Sequence, residues 1–593
     1  MCKINKSKLL TVFCFTSAII FLGVFVFQNE AQNNVFEYEE VSAQLHYIYT
    51  EIVPPIYDMV HDFHNGYAIV IMGNVWNDER EYWESSFYGL IDKTGTLVLP
   101  LIYDRIESVV ITNNIVFVNA VYDGNFGIIN LHGDEILPFI YSRISIRYDV
   151  AVLSYGEGDD RAAGLFCLTS KEFIVPIGIY FAINTLYSEG RTWVTLGPAN
   201  AWRWGVIDIN NGELLTPMVY VSRAGNGIFR NGLVRAHRDD GNGIRSGFLD
   251  IDGNEITEFI YDDASGFWNI FAGASYNGRW GLIDTEGNYI IAPMFDSMSG
   301  LQQYAWCSDF RYFPVSLNGQ WGVWDMIRSE LAIPHIYGGI IDIYDNFAIV
   351  HYGNWNDLSG VLNIETAEYV VPLGYMRFYN ILGNGLALVS KGTRGNDYKM
   401  GVIDIRTGNI IADFIYSDIN WRIDENDVIK FLSDAEWELL NWDGEEWYGL
   451  SGGRWGLMDL YGNEIVPALY GGIQHFIAGL FIVEPHSLNM GIINIRGEIV
   501  LPLEYTYIGS FWHPRGFDIV LTPVNKGGQW VWGRKDDSYD GYGYTLTGGK
   551  WGFIDTSGNL VVPVELDYDF VNPVVDGMAA VMRDGRWGFI AVR

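Results

Sequence analysis

Residues 279–296 read RWGLIDTEGNYIIAPMFD. A short apolar strand, Trp280-Gly281-Leu282-Ile283, ends at Asp284, and Thr285-Glu286-Gly287 follows as a turn. Glycine supplies the positive φ of a tight turn, and a leading Asp accepts a bond from the backbone two residues on. A second apolar strand then runs from Tyr289 to Pro293, where the missing N–H of proline closes it. The two strands form a hairpin, and Phe295-Asp296 makes the corner after it.

The phrase recurs along the chain. Its fullest copies are Arg203-Trp204-Gly205-Val206-Ile207-Asp208, Arg454-Trp455-Gly456-Leu457-Met458-Asp459 and Lys550-Trp551-Gly552-Phe553-Ile554-Asp555. The aligned glycines fall at 89, 127, 164, 205, 247, 281, 322, 360, 401, 456, 491, 552 and 588, with intervals averaging about 42 residues. A unit of that size cannot bury a core alone and must lean on its neighbours. Corners like Phe295-Asp296 stand at Tyr57-Asp58, Tyr103-Asp104 and Tyr261-Asp262. A further strand follows each corner, such as Gly66 to Ile71, Gly385 to Ser390 or Gly577 to Met582. It enters the next WG strand through Asp123-Gly124, Asn277-Gly278, Asn318-Gly319 or Asp584-Gly585, dipeptides that favour two-residue hairpins. The expected unit is therefore a three-stranded meander running from a corner to the next proline. Trp and Leu or Val of the WG strand point one way and Ile the other, so both faces are apolar, as in a sheet stacked between neighbours. Trp204-Gly205, Trp280-Gly281, Trp321-Gly322, Trp455-Gly456, Trp551-Gly552 and Trp587-Gly588 are read as structural residues of this stack.

Arg/Lys-Trp-Gly-Leu-Ile-Asp, the glycine turn, the proline and the Tyr-Asp corner resemble the WG-repeat, or KWG-repeat, family of bacterial proteins. The resemblance runs from about residue 51 to 593, and six of thirteen copies keep Trp-Gly. It implies an all-β repeat structure, and it implies no enzymatic activity and no catalytic residues.

The last unit ends after Arg586 to Val592 without its third strand, while His46 to Val53 before Pro54 reads as an orphan third strand. The two either pair to close a ring or stay as ragged ends. Thirteen sheets exceed the roughly 4–8 blades of a propeller. The expectation is an open or spiral array, with two propeller-like rings as the alternative.

The chain has 593 residues and a formal charge of -35, from 37 Lys plus Arg against 72 Asp plus Glu. That balance repels phosphate backbones and anionic membrane surfaces, which argues against nucleic acid as a partner. An aromatic content of 15% argues against disorder in so acidic a chain. Lys3, Lys6 and Lys8 precede an uncharged run from Leu9 to Phe27, long enough to span a bilayer. Residues 1–32 are expected to be a signal-anchor or signal peptide, 33–45 a linker and 46–593 the array. The protein is then extracytoplasmic, anchored by Leu9–Phe27 or secreted. Cys167 and Cys307 stand in different repeats with no partner spacing, so no disulfide framework is expected.

Asp250-Ile251-Asp252-Gly253-Asn254-Glu255 looks like part of a calcium loop but lacks the spaced ligands of an EF-hand and aligns with ordinary turns. His61-Asp62-Phe63-His64 offers two metal ligands without a further set. No metal and no cofactor is expected. GxSxG, HExxH and a phosphate loop are absent from the sequence, so a non-enzyme is expected.

The rhythm breaks twice, near 420–450 and 524–548. The first insertion interleaves Trp437, Trp442 and Trp447 with carboxylates, and the second carries Trp530, Trp532, Tyr539 and Tyr542. Loops on a rigid scaffold vary without unfolding it, which makes these seven aromatics the candidate binding residues. The sequence thus reads as an exported repeat scaffold for protein–protein interaction at the cell envelope or surface. A carbohydrate-binding module is the alternative.

Overall fold

Asn277 and Gly278, both at positive φ (52° and 72°), turn Phe271–Tyr276 back onto Arg279–Asp284. This two-residue turn matches the right-handed twist of the strands it joins. At the far end Asp284 Oδ1 accepts the N–H of Glu286 at 2.9 Å and of Asn288 at 2.8 Å, leading into Tyr289–Phe295. The computed structural model describes residues 49–73, 76–77, 82–83, 86–197, 203–221, 227–267, 269–298, 311–353, 358–382, 384–393, 397–420, 428–442, 445–477, 479–485, 489–511, 519–534 and 542–592. Residues 46–593 form one compact unit.

The unit is four-stranded rather than three-stranded. Asp263–Ala264, directly after the Tyr261-Asp262 corner, pairs with Ser275 and Ala274 and adds a first strand ahead of the meander. Nine sheets show this four-strand order, and numbering them by their glycines makes the Gly281 copy blade 6. The first strand escaped the sequence reading because it is only 2 residues long in several copies, too short to show alternation. In blades 4 and 5 the fourth strand shrinks to isolated bridges such as Trp204↔Tyr220 and Ser246↔Tyr261.

The WG glycine is required by the proline strand. Trp280 pairs with Phe295 and Leu282 with Ile291, so Ala292, Pro293 and Met294 bulge opposite the single residue Gly281. A Cβ on Gly281 would lie 2.3 Å from the carbonyl oxygen of Ile291. Bulges and close backbone approach are the usual reasons for glycine inside a strand. The proline marks the bulge and the glycine makes room for it.

Alternate residues of each WG strand enter different cores. Leu282 packs with Phe295, Phe313 and Val315 toward blade 7, and Ile283 with Phe248, Tyr261 and Ala274 toward blade 5. Among the described residues the apolar side chains fall into thirteen clusters, each shared by two consecutive blades. One of them joins Phe63, Ala68, Val70 and Ile91 of blade 1 to Val53, Tyr57, Met578, Ala580, Phe589 and Ala591 of blade 13. Tyr49–Tyr57 pairs antiparallel with Arg586–Val592, from Tyr49↔Val592 to Tyr57↔Trp587. The N-terminal strand therefore serves as the fourth strand of the last blade, and Gly588 faces Val53 as Gly281 faces Ile291.

These pairings correct the expected open array. The sheets form a single closed cycle in chain order, neither a spiral with free ends nor two smaller rings. The all-β repeat class stands. Closure satisfies the backbone edge and both apolar faces of the terminal blades at once, which ragged ends leave exposed.

The corner aspartates tie neighbouring blades. Asp296 accepts hydrogen bonds from the Arg279 guanidinium of blade 6 and from the Asn318 N–H in the hairpin turn of blade 7. Asp262 likewise binds Arg245 of blade 5 and the Gly278 N–H of blade 6, the latter at 2.8 Å. At the closure Asp58 takes Arg586 and, at 2.6 Å, the Gly73 N–H. Basic residue, glycine and Tyr-Asp corner thus belong to one inter-blade joint.

Candidate functional site

The same joints fix the orientation of the ring. Because a corner Asp reaches the hairpin turn of its own blade and the start of the WG strand in the preceding one, the turns between second and third strands share one rim. The opposite rim holds the other turns: Glu189 of blade 4 accepts the N–H groups of Asn231 and Gly232 of blade 5, each at 2.8 Å. Asp576 does the same for the Gly66 N–H across the closure, at 2.7 Å.

Among the described residues, the three insertions that carry strands of their own all rise from the first rim. They are Trp76–Asn77 with Tyr82–Trp83 in blade 1, and the extensions of blades 10 and 12. In blade 10 the second and third strands lengthen to Val428–Trp442 and Glu445–Asp459. In blade 12 a hairpin of Gln529–Arg534 and Tyr542–Thr547 rises between Ile519–Lys526 and Lys550–Asp555.

The last two insertions are one structural element used twice. Ser451-Gly452-Gly453-Arg454-Trp455-Gly456 corresponds to Thr547-Gly548-Gly549-Lys550-Trp551-Gly552. Both glycine pairs lie at positive φ, 70° and 82° in the first and 70° and 78° in the second, and opposite them Asp434 (59°) and Gly527 (83°) do the same. Beyond this kink Trp437 pairs with Leu450 and Trp530 with Leu546. A corner hydroxyl holds each base: Ser417 Oγ donates to Ala435 O at 2.9 Å, and Thr506 Oγ1 to Gly528 O at 3.2 Å.

Under each hairpin is a pocket. The first, about 300 Å³, lies between blades 9 and 10 and is lined by Tyr379, Tyr398, Met400, Asp418, Asn420 and Trp437 among others. The second, about 180 Å³, lies between blades 11 and 12 and takes in Gln474, Glu484, Met490, Tyr507, Ile508 and Trp530. Trp437 meets Tyr398 edge to face, ring centroids 5.3 Å apart at 81°, and Tyr398 and Tyr379 join hydroxyls at 2.6 Å. Trp530 meets Tyr507 at 6.2 Å and donates its indole N–H to Thr506 O at 3.2 Å. Burial pushes the Tyr507 phenol above its ordinary value.

Met400 and Met490 each line one of the pockets. Each stands directly before its WG glycine, Gly401 or Gly491, in the place held by tryptophan in the full copies. Trp551 is buried, and Trp204, Trp280, Trp321, Trp455 and Trp587 are partly buried, each against the cluster shared with the following blade. In blades 9 and 11 methionine holds that place, and the tryptophan of the next blade's hairpin lines the same pocket.

Of the candidate binding residues, Trp437 and Trp530 therefore line pockets. Trp442, Trp447, Trp532 and Tyr542 belong to strands of the hairpins, but their side chains lie outside the described residues, as does the whole of Tyr539. Sequence reading missed the two methionines and the shared Gly-Gly kink, although both were visible in an alignment of the copies. Asp250 accepts the N–H of Asp252 at 3.0 Å and of Asn254 at 2.8 Å through one oxygen and the Asn254 side chain through the other. Its carboxylate is spent on the turn. Among the described residues no group of three or more His, Cys, Asp or Glu side chains is placed to hold a metal ion. Nor is any described helix long and apolar enough to cross a membrane; Leu9–Phe27 lies outside the described residues.

The family described as WG containing repeat matches at residues 50–76, 88–119, 247–278, 280–321, 455–484, 490–530 and 551–587. The chain belongs to the WG-repeat family. The WG repeat also continues structurally through the unmatched stretches, where blades 3, 8 and 9 keep the four-strand order. No curated protein matches the chain in sequence. Solved structures similar to this WG-repeat chain include a eukaryotic initiation factor, at 10% identity over 55% of this chain and 92% of that one with TM-score 0.27. BamB from Moraxella catarrhalis is similar at 9% identity over 76% of this chain and 95% of that one, TM-score 0.19. Kluyveromyces lactis Hsv2 is similar at 10% identity over 48% and 95%, TM-score 0.21.

Proposed function

We propose that this WG-repeat ring is an exported, non-catalytic scaffold that holds partner proteins at the cell envelope or surface through its hairpin-bearing rim. The observation that carries the reading is the rise of all three described strand-bearing insertions from that one rim. A closed cycle keeps the rim rigid while its insertions vary, the division of labour usual for binding on repeat scaffolds. Export rests on Lys3, Lys6 and Lys8 ahead of the uncharged Leu9–Phe27 run. The test compares the full chain with a variant whose blade 10 and blade 12 hairpins are replaced by the Asn-Gly turn of blade 6. Envelope proteins retained by the first and lost by the second support the reading. Equal retention by both contradicts it. Protease treatment of intact cells reports the exposure of the array directly.

Carbohydrate recognition is a second reading, favoured by the two pockets. Each combines aromatic walls with a carboxylate and a carboxamide, the mixture of apolar surface and few polar groups that small-ligand sites use.

A further inference from the structure

The two pockets share part of their framework. Ile419 and Ile508 are the second residues of their blades' first strands, paired with Phe431 and Val524, which in turn face Gly456 and Gly552. Leu388 and Ile482 occupy one position of the preceding blade, facing Val402 and Ile492. Tyr379 and Gln474 are both third in their first strands. With Met400 matching Met490 and Trp437 matching Trp530, five wall positions are shared, while Asp418 stands where the second pocket has Tyr507 and the two carboxylates, Asp418 and Glu484, come from opposite sides of their junctions. A pocket made once by chance would not bring its methionine, its kink and its tryptophan along a second time.

We propose that these are twin subsites for a saccharide chain without anionic groups, one sugar residue in each, bound by both at once. The proposal rests on the carbohydrate reading above. A sugar ring has apolar C–H faces and hydroxyls around its edge. Trp437 with Tyr398, and Trp530 with Tyr507, supply aromatic walls steeply inclined to each other, at 81° and 62°, for the faces. Asp418 and Asn420 in one pocket, and Glu484 and Gln474 in the other, supply a carboxylate and a carboxamide for the hydroxyls. Glu484 lies across Gly472, where a Cβ would meet its Oε1 at 2.3 Å, so glycine at 472 is what lets this carboxylate lie where it does. A carboxylate in each pocket, within a chain of formal charge -35, selects against uronic acids and phosphorylated polymers. The subsites are two blades apart on one rigid ring, so an oligosaccharide that spans them gains from effective concentration while a monosaccharide does not.

The test titrates the full chain, followed by intrinsic fluorescence and calorimetry, with neutral homopolysaccharides, their oligosaccharides and monosaccharides, and an anionic polysaccharide. Met400→Trp and Met490→Trp restore the family's own residue and fill each pocket without emptying the core. Trp437→Ala and Trp530→Ala remove a wall. Circular dichroism and thermal melting check that each variant is folded. The expected result is binding of a neutral chain, weakened roughly tenfold or more by either methionine replacement and lost in the double. Monosaccharide binding should halve in stoichiometry in either single variant. Neutral saccharide binding that the double methionine variant leaves intact overturns the twin-subsite proposal while sparing the carbohydrate reading. Binding of no saccharide, or of the anionic polymer alone, overturns both.

Discussion

Trp437 and Trp530 are one position occupied twice. Each is the third residue after a positive-φ kink, at Asp434 or Gly527, and each faces a leucine on the return strand, Leu450 or Leu546. Sequence alone shows two tryptophan-bearing insertions of different length. The backbone shows one device installed over two junctions.

The hydroxyl at each hairpin base should matter locally. Ser417→Ala removes the bond to Ala435 O, and Thr506→Val the bond to Gly528 O. Each should cost about 1 kcal/mol and raise hydrogen exchange in its own hairpin only. Protection lost in both hairpins from one substitution would show that they are not independent.

The glycine of the WG phrase makes a sharper case. Gly281→Ala should cost about 1–3 kcal/mol in chemical denaturation, because the new Cβ lies 2.3 Å from Ile291 O in a fixed bulge. Gly266→Ala, where a Cβ meets nothing within 4 Å, serves as the control and should stay within about 0.5 kcal/mol. Equal effects would remove the bulge as the reason for the glycine.

That glycine also marks how far sequence reading reaches. The apolar pair Leu282-Ile283, the turn at Asp284 and the hairpin at Asn277-Gly278 each announce themselves through local chemistry, and each lies where that chemistry puts it. The first strand of several blades does not, since two residues such as Asp263-Ala264 have no periodicity to read. Closure of Tyr49–Tyr57 onto Arg586–Val592 spans the whole chain, and local pattern offered both outcomes. The pockets bring together residues of two blades, such as Met400 with Trp437 and Met490 with Trp530, and that meeting becomes visible only in the stack.

Asp296 should be worth more than its ion pair. Both it and Arg279 are over a third exposed, so their coupling in a double-mutant cycle should not exceed about 1 kcal/mol. Asp296→Ala also strips the Asn318 N–H of its acceptor and should therefore cost more than Arg279→Ala. The reverse order would demote the corner joint to a surface pair.

Asp342 should give the ring a pH dependence. Burial pushes its carboxyl up to about 6, against the pull of the Ile343 N–H at 2.9 Å. Folding then holds its proton more tightly than the unfolded chain does. Its favourable contribution is complete below the ordinary carboxylate range and is lost as pH rises through about 6. Asp342→Asn should remove this slope, so wild type should lose stability relative to the variant between pH 4 and 7 in urea titrations. A gain over that interval would contradict the assignment.

Everything above depends on a single closed cycle, and imaging full-length particles by electron microscopy tests it most directly. The pairing of Tyr49–Tyr57 with Arg586–Val592 and the thirteen shared clusters predict closed rings of thirteen blades. Open crescents, spirals or pairs of smaller rings as the dominant class would contradict it.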